Sequence, residues 1–183
     1  MTPRSGRRAA ARIRARRPTG FVLRPVRPPD AATLVRLRAA LFREMGEVPE
    51  PAIAAYEPRY LAWLRRELRG GRLWGYVAED PATRRPLGGG LLWLQPRTPS
   101  ARYPRTESPY LFSIYVEPSA RQRGIGSAVT EALVELVRRA GYPRVDLFAT
   151  DVGRPLYERL GFRPTNHMRL DLSRGVASGG RRR

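Results

Sequence analysis

The stretch Arg121-Gln122-Arg123-Gly124-Ile125-Gly126-Ser127 has the residue types and spacing best suited to chemistry. Its two glycines, one residue apart, let consecutive backbone N–H groups turn inward with no Cβ in the way. If a helix begins here, those groups lie in its first turn, where they lack an intrahelical partner and the macrodipole is positive. Such a turn binds anions, and Arg121 and Arg123 can add charge-assisted contacts to phosphate oxygens. The chemistry implied is recognition of a phosphate ester. A Walker loop is excluded, because it needs Gly-Lys-Ser/Thr and all thirty-five basic residues are arginine. A dinucleotide fingerprint fits poorly: Val129 stands where its third glycine belongs, and Asp146 would begin its strand rather than end it.

Two elements must hold this turn. Upstream, residues 111–116 (Leu-Phe-Ser-Ile-Tyr-Val) are β-branched and aromatic, bounded by Pro109 and Pro118, and read as a strand buried on both faces. Downstream, Ile125, Ala128, Val129, Ala132, Leu133, Leu136, Val137 and Ala140 form the stripe of an amphipathic helix that Gly141 and Pro143 end.

The remaining chain supplies a scaffold. Residues 21–26 read as a first strand. A helix N-capped by Asp30 follows, with Leu34, Leu37, Leu41 and Phe42 on its apolar face. A second helix over 51–68 offers Ile53, Tyr56, Tyr60, Leu61, Trp63, Leu64 and Leu68 to a core, and Gly70-Gly71 ends it. Residues 73–78 and 88–94 read as a hairpin, and 95–109 as a loop. Residues 144–149 read as a strand parallel to 111–116, reached by a helical crossover. A short helix from Pro155 stops at Gly161, and the alternation of Met168, Leu170 and Leu172 predicts a closing strand.

The segment Arg121 to Gly126 resembles the Arg/Gln-x-x-Gly-x-Gly/Ala signature of the GNAT superfamily of acetyl-CoA-dependent N-acetyltransferases. It also stands, as in that family, between a strand ending Tyr-Val-Glu-Pro and a long amphipathic helix. The order of elements over residues 20–172 is similar too. The resemblance implies an α/β (mixed α+β) GNAT-like fold, with a mostly antiparallel central sheet that includes one parallel pair, flanked by helices. It implies that acetyl-CoA is the co-substrate and that Arg121, Gln122, Arg123, Gly124, Ile125, Gly126 and Ser127 hold its pyrophosphate. The backbone of Ile114 and Val116, on an opened strand edge, would pair with pantetheine.

For catalysis, residues 156–162 (Leu-Tyr-Glu-Arg-Leu-Gly-Phe) resemble the family's second signature, which makes Tyr157 the general acid; a core aromatic beside Leu160 is the other reading. Thr150 and Gly153 depart from the family's Asn and Ala, so a side-chain contact from position 150 is not carried over. Glu107 and Glu117 are the candidates for a base, and each reads equally as a solvated carboxylate. Ser113 is the one short polar residue of the strand, able to hold a water or fill the core. Four of the sixteen acids, Glu44, Glu47, Glu50 and Glu57, cluster where the first two helices join. In the family that join lines the acceptor site, so Glu44 and Glu47 could favour a cationic amine. An ordinary solvated helix end is the alternative.

Composition narrows the mechanism. With no cysteine and no lysine there is no thiol nucleophile, disulfide or Schiff base, and His167 alone builds neither a zinc site nor, without a Gly-x-Ser-x-Gly elbow, a triad. No metal is expected. Direct transfer of a pre-activated group to a primary amine in a ternary complex fits what remains. No apolar run approaches the roughly 18 residues of a spanning helix, so a soluble, cytoplasmic protein with no membrane partner is expected. Residues 1–19, with seven arginines and no acid, and 173–183, with four arginines, read as disordered arms around a domain over 20–172. The arms admit three readings: solvated tails, a targeting segment, or a nucleic-acid or ribosome contact. On the last, the protein would be a basic binding module that retains a CoA site. Oligomeric state has no signal in the sequence.

Overall fold

The structure, a computed structural model, describes residues 20–170. The expected arms lie outside the described residues, as does Leu172. Residues 20–148 belong to one compact unit and 149–170 to a second.

In the first unit β1 (Val22–Pro25), β2 (Leu73–Glu79), β3 (Pro86–Pro96), β4 (Glu107–Val116) and β5 (Asp146–Leu147) form one sheet in sequence order. The first three pairings are antiparallel and β4–β5 is parallel, the mixed sheet expected from the sequence. The helices are α1 (Ala31–Met45), α2 (Glu50–Arg69) and α3 (Ile125–Arg139). Side-chain alternation sorts the two faces. A Cβ at Gly89 would approach Leu37 of α1, whereas one at Gly90 would meet Val129 and Leu133 of α3. Odd positions of β3 therefore face α1 and α2, and even ones face α3. Leu34, Val35, Tyr60, Leu64, Leu73, Val77 and Leu91 make the core on the first face.

Several boundaries differ from the sequence reading. β4 runs through Pro109 back to Glu107 and is only half-buried at Phe112, Ser113 and Ile114. Pro109 is tolerated because its partner Leu94 donates its N–H to Arg72 on the β2 side. The pair is thus a non-hydrogen-bonded one, and the missing N–H would have pointed away from β3. Asp30 is no side-chain cap for α1. It sits in a preceding 3₁₀ turn, accepts from the Arg27 N–H, and is gripped at 2.7 Å by both terminal nitrogens of Arg24, which holds its carboxyl below the usual range. β5 shrinks to two residues.

The second unit holds α4 (Arg154–Arg159), closed by Gly161 at φ +91°. Thr150 accepts the Gly153 N–H through Oγ1, so its hydroxyl is spent shaping the turn into α4. The expected closing strand is absent among the described residues. Met168 and Leu170 are 92 % and 81 % exposed: period-two patterning offers a face, and here nothing is buried by it.

Candidate functional site

Three features of the first unit converge on β4. The first is a bulge. Gly89 pairs with Tyr115 and Leu91 with Phe112, so Ser113 and Ile114 together oppose Gly90. Ser113 takes a left-handed φ of +54°. The extra residue shifts the side-chain phase: Ile114 turns toward α3, where its Cδ1 would lie 2.3 Å from a Cβ at Gly90, while Ser113 follows Phe112 toward α1 and accepts a hydrogen bond from Arg38. Two consecutive side chains thus face the same helix layer.

The second is an open strand edge. The parallel pairing ends at Leu111 with Leu147, just before the bulge bends β4 away from β5. Glu117 donates its N–H to Leu87 of β3, so by alternation the backbone groups of Val116 and Ile114 point to the opposite, unladdered edge. The Val116 carbonyl there accepts from Arg121 Nε at 3.2 Å.

The third is the turn. Gly124, at φ +77°, occupies the N-cap position of α3, and the first intrahelical bond is Ala128 N–H to Gly124. The N–H groups of Ile125, Gly126 and Ser127 have no partner among the described residues. A Cβ at Gly124 would meet nothing within 4 Å, so the turn is open on that side. The cradle of backbone donors is preformed. Its arginines are engaged elsewhere: Arg121 pairs with Glu44, and Arg123 donates to the Gly20 carbonyl. Gln122, at φ +62°, sets the bend.

Beside the bulge lies a pocket of about 460 Å³ lined by Arg38, Tyr56, Arg59, Tyr60, Trp63, Trp93, Tyr110 and Phe112. Its wall is one stripe of α2. Tyr56, Tyr60 and Trp63 fall at helical spacing and stack at 5.1 and 5.8 Å between centroids. Trp93 and Phe112 meet Trp63 edge-on. The Trp93 indole N–H is held at 3.3 Å by Glu67, a buried carboxylate whose pKa the Arg72 hydrogen bond, helped by Arg66 and Trp93 itself, keeps below its ordinary value. Burial pushes the Tyr60 phenol up to about 12, so it stays protonated at neutral pH.

The sequence candidates separate on this frame. Ile114, Val116 and the residues from Arg121 to Ser127 come together along the edge and the turn. Glu44 and Glu47 do not line the pocket; Glu44 is drawn to Arg121, and Arg43 takes Glu50 and Glu57. Glu107 shares the α3-facing side of β4 with Leu111 and accepts from the Tyr142 hydroxyl at 2.9 Å, away from the pocket. Glu117 pairs with Arg36. In the second unit Tyr157 lies edge-on to Phe162. No group of acidic or histidine side chains among the described residues could hold a metal, and no described helix is long and apolar enough to cross a membrane. Tyr56, Tyr60 and Trp63, core candidates by their helical spacing, line this pocket, and the signal in the sequence that goes with them is Arg38, a cation inside the apolar stripe of α1.

The family model for the Acetyltransferase (GNAT) family matches residues 35–162. The chain belongs to the GNAT family. A glucosamine 6-phosphate N-acetyltransferase of Trypanosoma brucei brucei is 33 % identical over 130 residues, covering 70 % of this chain and 84 % of the relative. Among solved structures, a GCN5-related N-acetyltransferase from Ralstonia eutropha superposes with a TM-score of 0.76 at 32 % identity, over 84 % of this chain and 99 % of that one. A predicted acetyltransferase from Clostridium acetobutylicum, solved with acetyl-CoA, also gives 0.76, at 21 % identity and over 84 % and 97 % of the two chains, which speaks for the GNAT fold alone. As a GNAT N-acetyltransferase the protein is an acyltransferase of a family that uses acetyl-CoA.

Proposed function

We propose that the protein moves an acetyl group from acetyl-CoA to a primary amine by direct attack within a ternary complex, with the aromatic pocket as the acceptor site. The observation that carries this reading is the adjacency on β4 of an unladdered edge, a bulge and a pocket, with a preformed anion turn at the strand's end. Acetyl-CoA supplies an activated acyl group whose departing thiol, with a pKa of about 8.5, needs little help to leave.

The chain's own residues divide the work. Backbone N–H groups from Gly124 to Ser127 bind the pyrophosphate, and Arg121 turns from Glu44 toward it. The Ile114 and Val116 edge aligns the pantetheine amides. No carboxylate lines the pocket, so the acceptor sheds its proton to water, aided by the positive field of Arg38, which favours the neutral amine. Glu117, on the α1 side of the strand, is the remaining carboxylate candidate for relaying that proton. Tyr157 protonates the leaving thiolate. The trypanosomal relative is named for glucosamine 6-phosphate, so a phosphorylated amino sugar belongs in the first assays here. A nucleic-acid role for the arginine arms draws no support from the relatives, which are acetyltransferases.

The test is thiol release from acetyl-CoA across a panel of primary amines, with initial velocities measured against both substrates. Intersecting lines are expected. Parallel lines would indicate a covalent acyl-enzyme, and no turnover with any amine, despite acetyl-CoA binding, would count against the reading.

A further inference from the structure

The polar inventory of the pocket is lopsided. Its lining contains two guanidinium groups and three phenols but no carboxylate. The Arg38 guanidinium donates to the Tyr56 hydroxyl at 2.9 Å and to Ser113, and lies 4.8, 5.2 and 5.4 Å from the ring centroids of Phe42, Tyr60 and Phe112. It forms no ion pair among the described residues, unlike Arg24, Arg36, Arg43, Arg72 and Arg121. A half-buried cation balanced only by rings and hydroxyls leaves a site that a counter-anion would stabilise.

A second, independent observation points the same way. Arg59, exposed on α2 at the pocket's edge, adds a second cation without an ion pair among the described residues.

Aromatic cages commonly attract a cationic ligand through ring faces. Here Arg38 already lies over two of the lining rings, so a further full cation would meet repulsion.

We propose that the acceptor is an amine that also carries an oxyanion, a carboxylate or a phosphate, seated by Arg38 and Arg59 while its flat body stacks on the α2 rings. The proposal rests on the reading of this pocket as the acceptor site. It replaces the cationic acceptor expected from the sequence, because three of the four acids behind that expectation, Glu44, Glu50 and Glu57, are paired with Arg121 and Arg43.

The experiment titrates the full chain, saturated with CoA, with two matched pairs, following the fluorescence of Trp63 and Trp93 and checking by calorimetry. One pair is phenylalanine and phenethylamine, which tests a carboxylate on an aromatic amine; the other is glucosamine 6-phosphate and glucosamine, which tests a phosphate on an amino sugar. In at least one pair the anionic member is expected to bind about tenfold tighter or better, as charge-assisted contacts require. That gap should shrink to below about threefold in Arg38→Gln. Arg59→Glu, at an exposed helix position, gives a second reading if Arg38→Gln does not fold, and should also narrow the gap. The proposal is overturned if the non-anionic members bind as tightly in both pairs, or if neither anionic member binds to protein that holds CoA. Loss of CoA binding itself would instead strike at the enzyme reading. The pairs, titrated without coenzyme, would still report on the pocket.

Discussion

At the residue scale, the site divides into groups that work through backbone and groups that work through charge. Gly124 is of the first kind, because its left-handed φ and the free space beside it are what open the turn. Tyr157, in the proposed reaction, is of the second. Because a thiolate is a competent leaving group, Tyr157→Phe is expected to lower kcat by only about tenfold, below the usual range for general acids, with little change in acetyl-CoA affinity; steady-state kinetics and calorimetry check both. Gly124 and its neighbours were legible in the sequence because six consecutive residues carry the whole pattern. Arg38 was not. Its proposed role rests on Ser113, Tyr56 and Phe112, residues distant in the chain that only the fold brings to it.

At the element scale, β3 and β4 are matched across the bulge. Gly90 leaves room for Ile114 and for the α3 residues Val129 and Leu133. Gly90→Ala would put a Cβ 2.3 Å from Ile114 Cδ1 and 2.7 Å from Val129 Cγ1. The substitution should cost about 1–3 kcal/mol in urea unfolding and weaken acetyl-CoA binding, since Ile114 must move on the edge proposed for pantetheine. α2 has its own anchor in Glu67, which is 2 % exposed and bonded to Arg72, Arg66 and Trp93. Its pKa lies below the ordinary 4.5. A depressed carboxylate pKa stabilises the fold above the ordinary value, and that contribution is lost as pH falls through the folded-state value. Glu67→Gln should therefore be about 1–2 kcal/mol less stable at pH 7, and the difference from wild type should vanish in acid. Element types were largely readable: the stripe of α3 and the hairpin of β2 and β3 follow from periodicity. The bulge was not, because Ser113 is no glycine and its positive φ is imposed by packing. The closing strand failed for the converse reason, since alternation at Met168 and Leu170 needs a partner strand that local sequence does not provide.

At the scale of the whole molecule, charge is the property that sequence states most plainly. The chain carries a formal charge of +19, and the proposed co-substrate is a polyanion. Steering and binding should both weaken with salt, so the Kd for acetyl-CoA is expected to rise several-fold between roughly 0.02 and 0.3 M ionic strength. The family was legible because its signature is local and flanked by the right elements. The pocket was not: the acidic cluster at the α1–α2 join is contiguous in sequence and three of its four acids pair with arginines in space, whereas the pocket draws its lining from α1, α2, β3 and β4.

The central claim is that the turn at Gly124 holds the pyrophosphate of acetyl-CoA. It is tested most directly by calorimetric titration of acetyl-CoA into wild type and Gly124→Glu, with circular dichroism to confirm that both are folded. Because a Cβ at position 124 meets no neighbour within 4 Å, the variant should fold at the cost of about 1–2 kcal/mol of backbone strain. The account predicts micromolar binding to wild type and none to the folded variant. Equal binding to both proteins, or none to wild type, would contradict it.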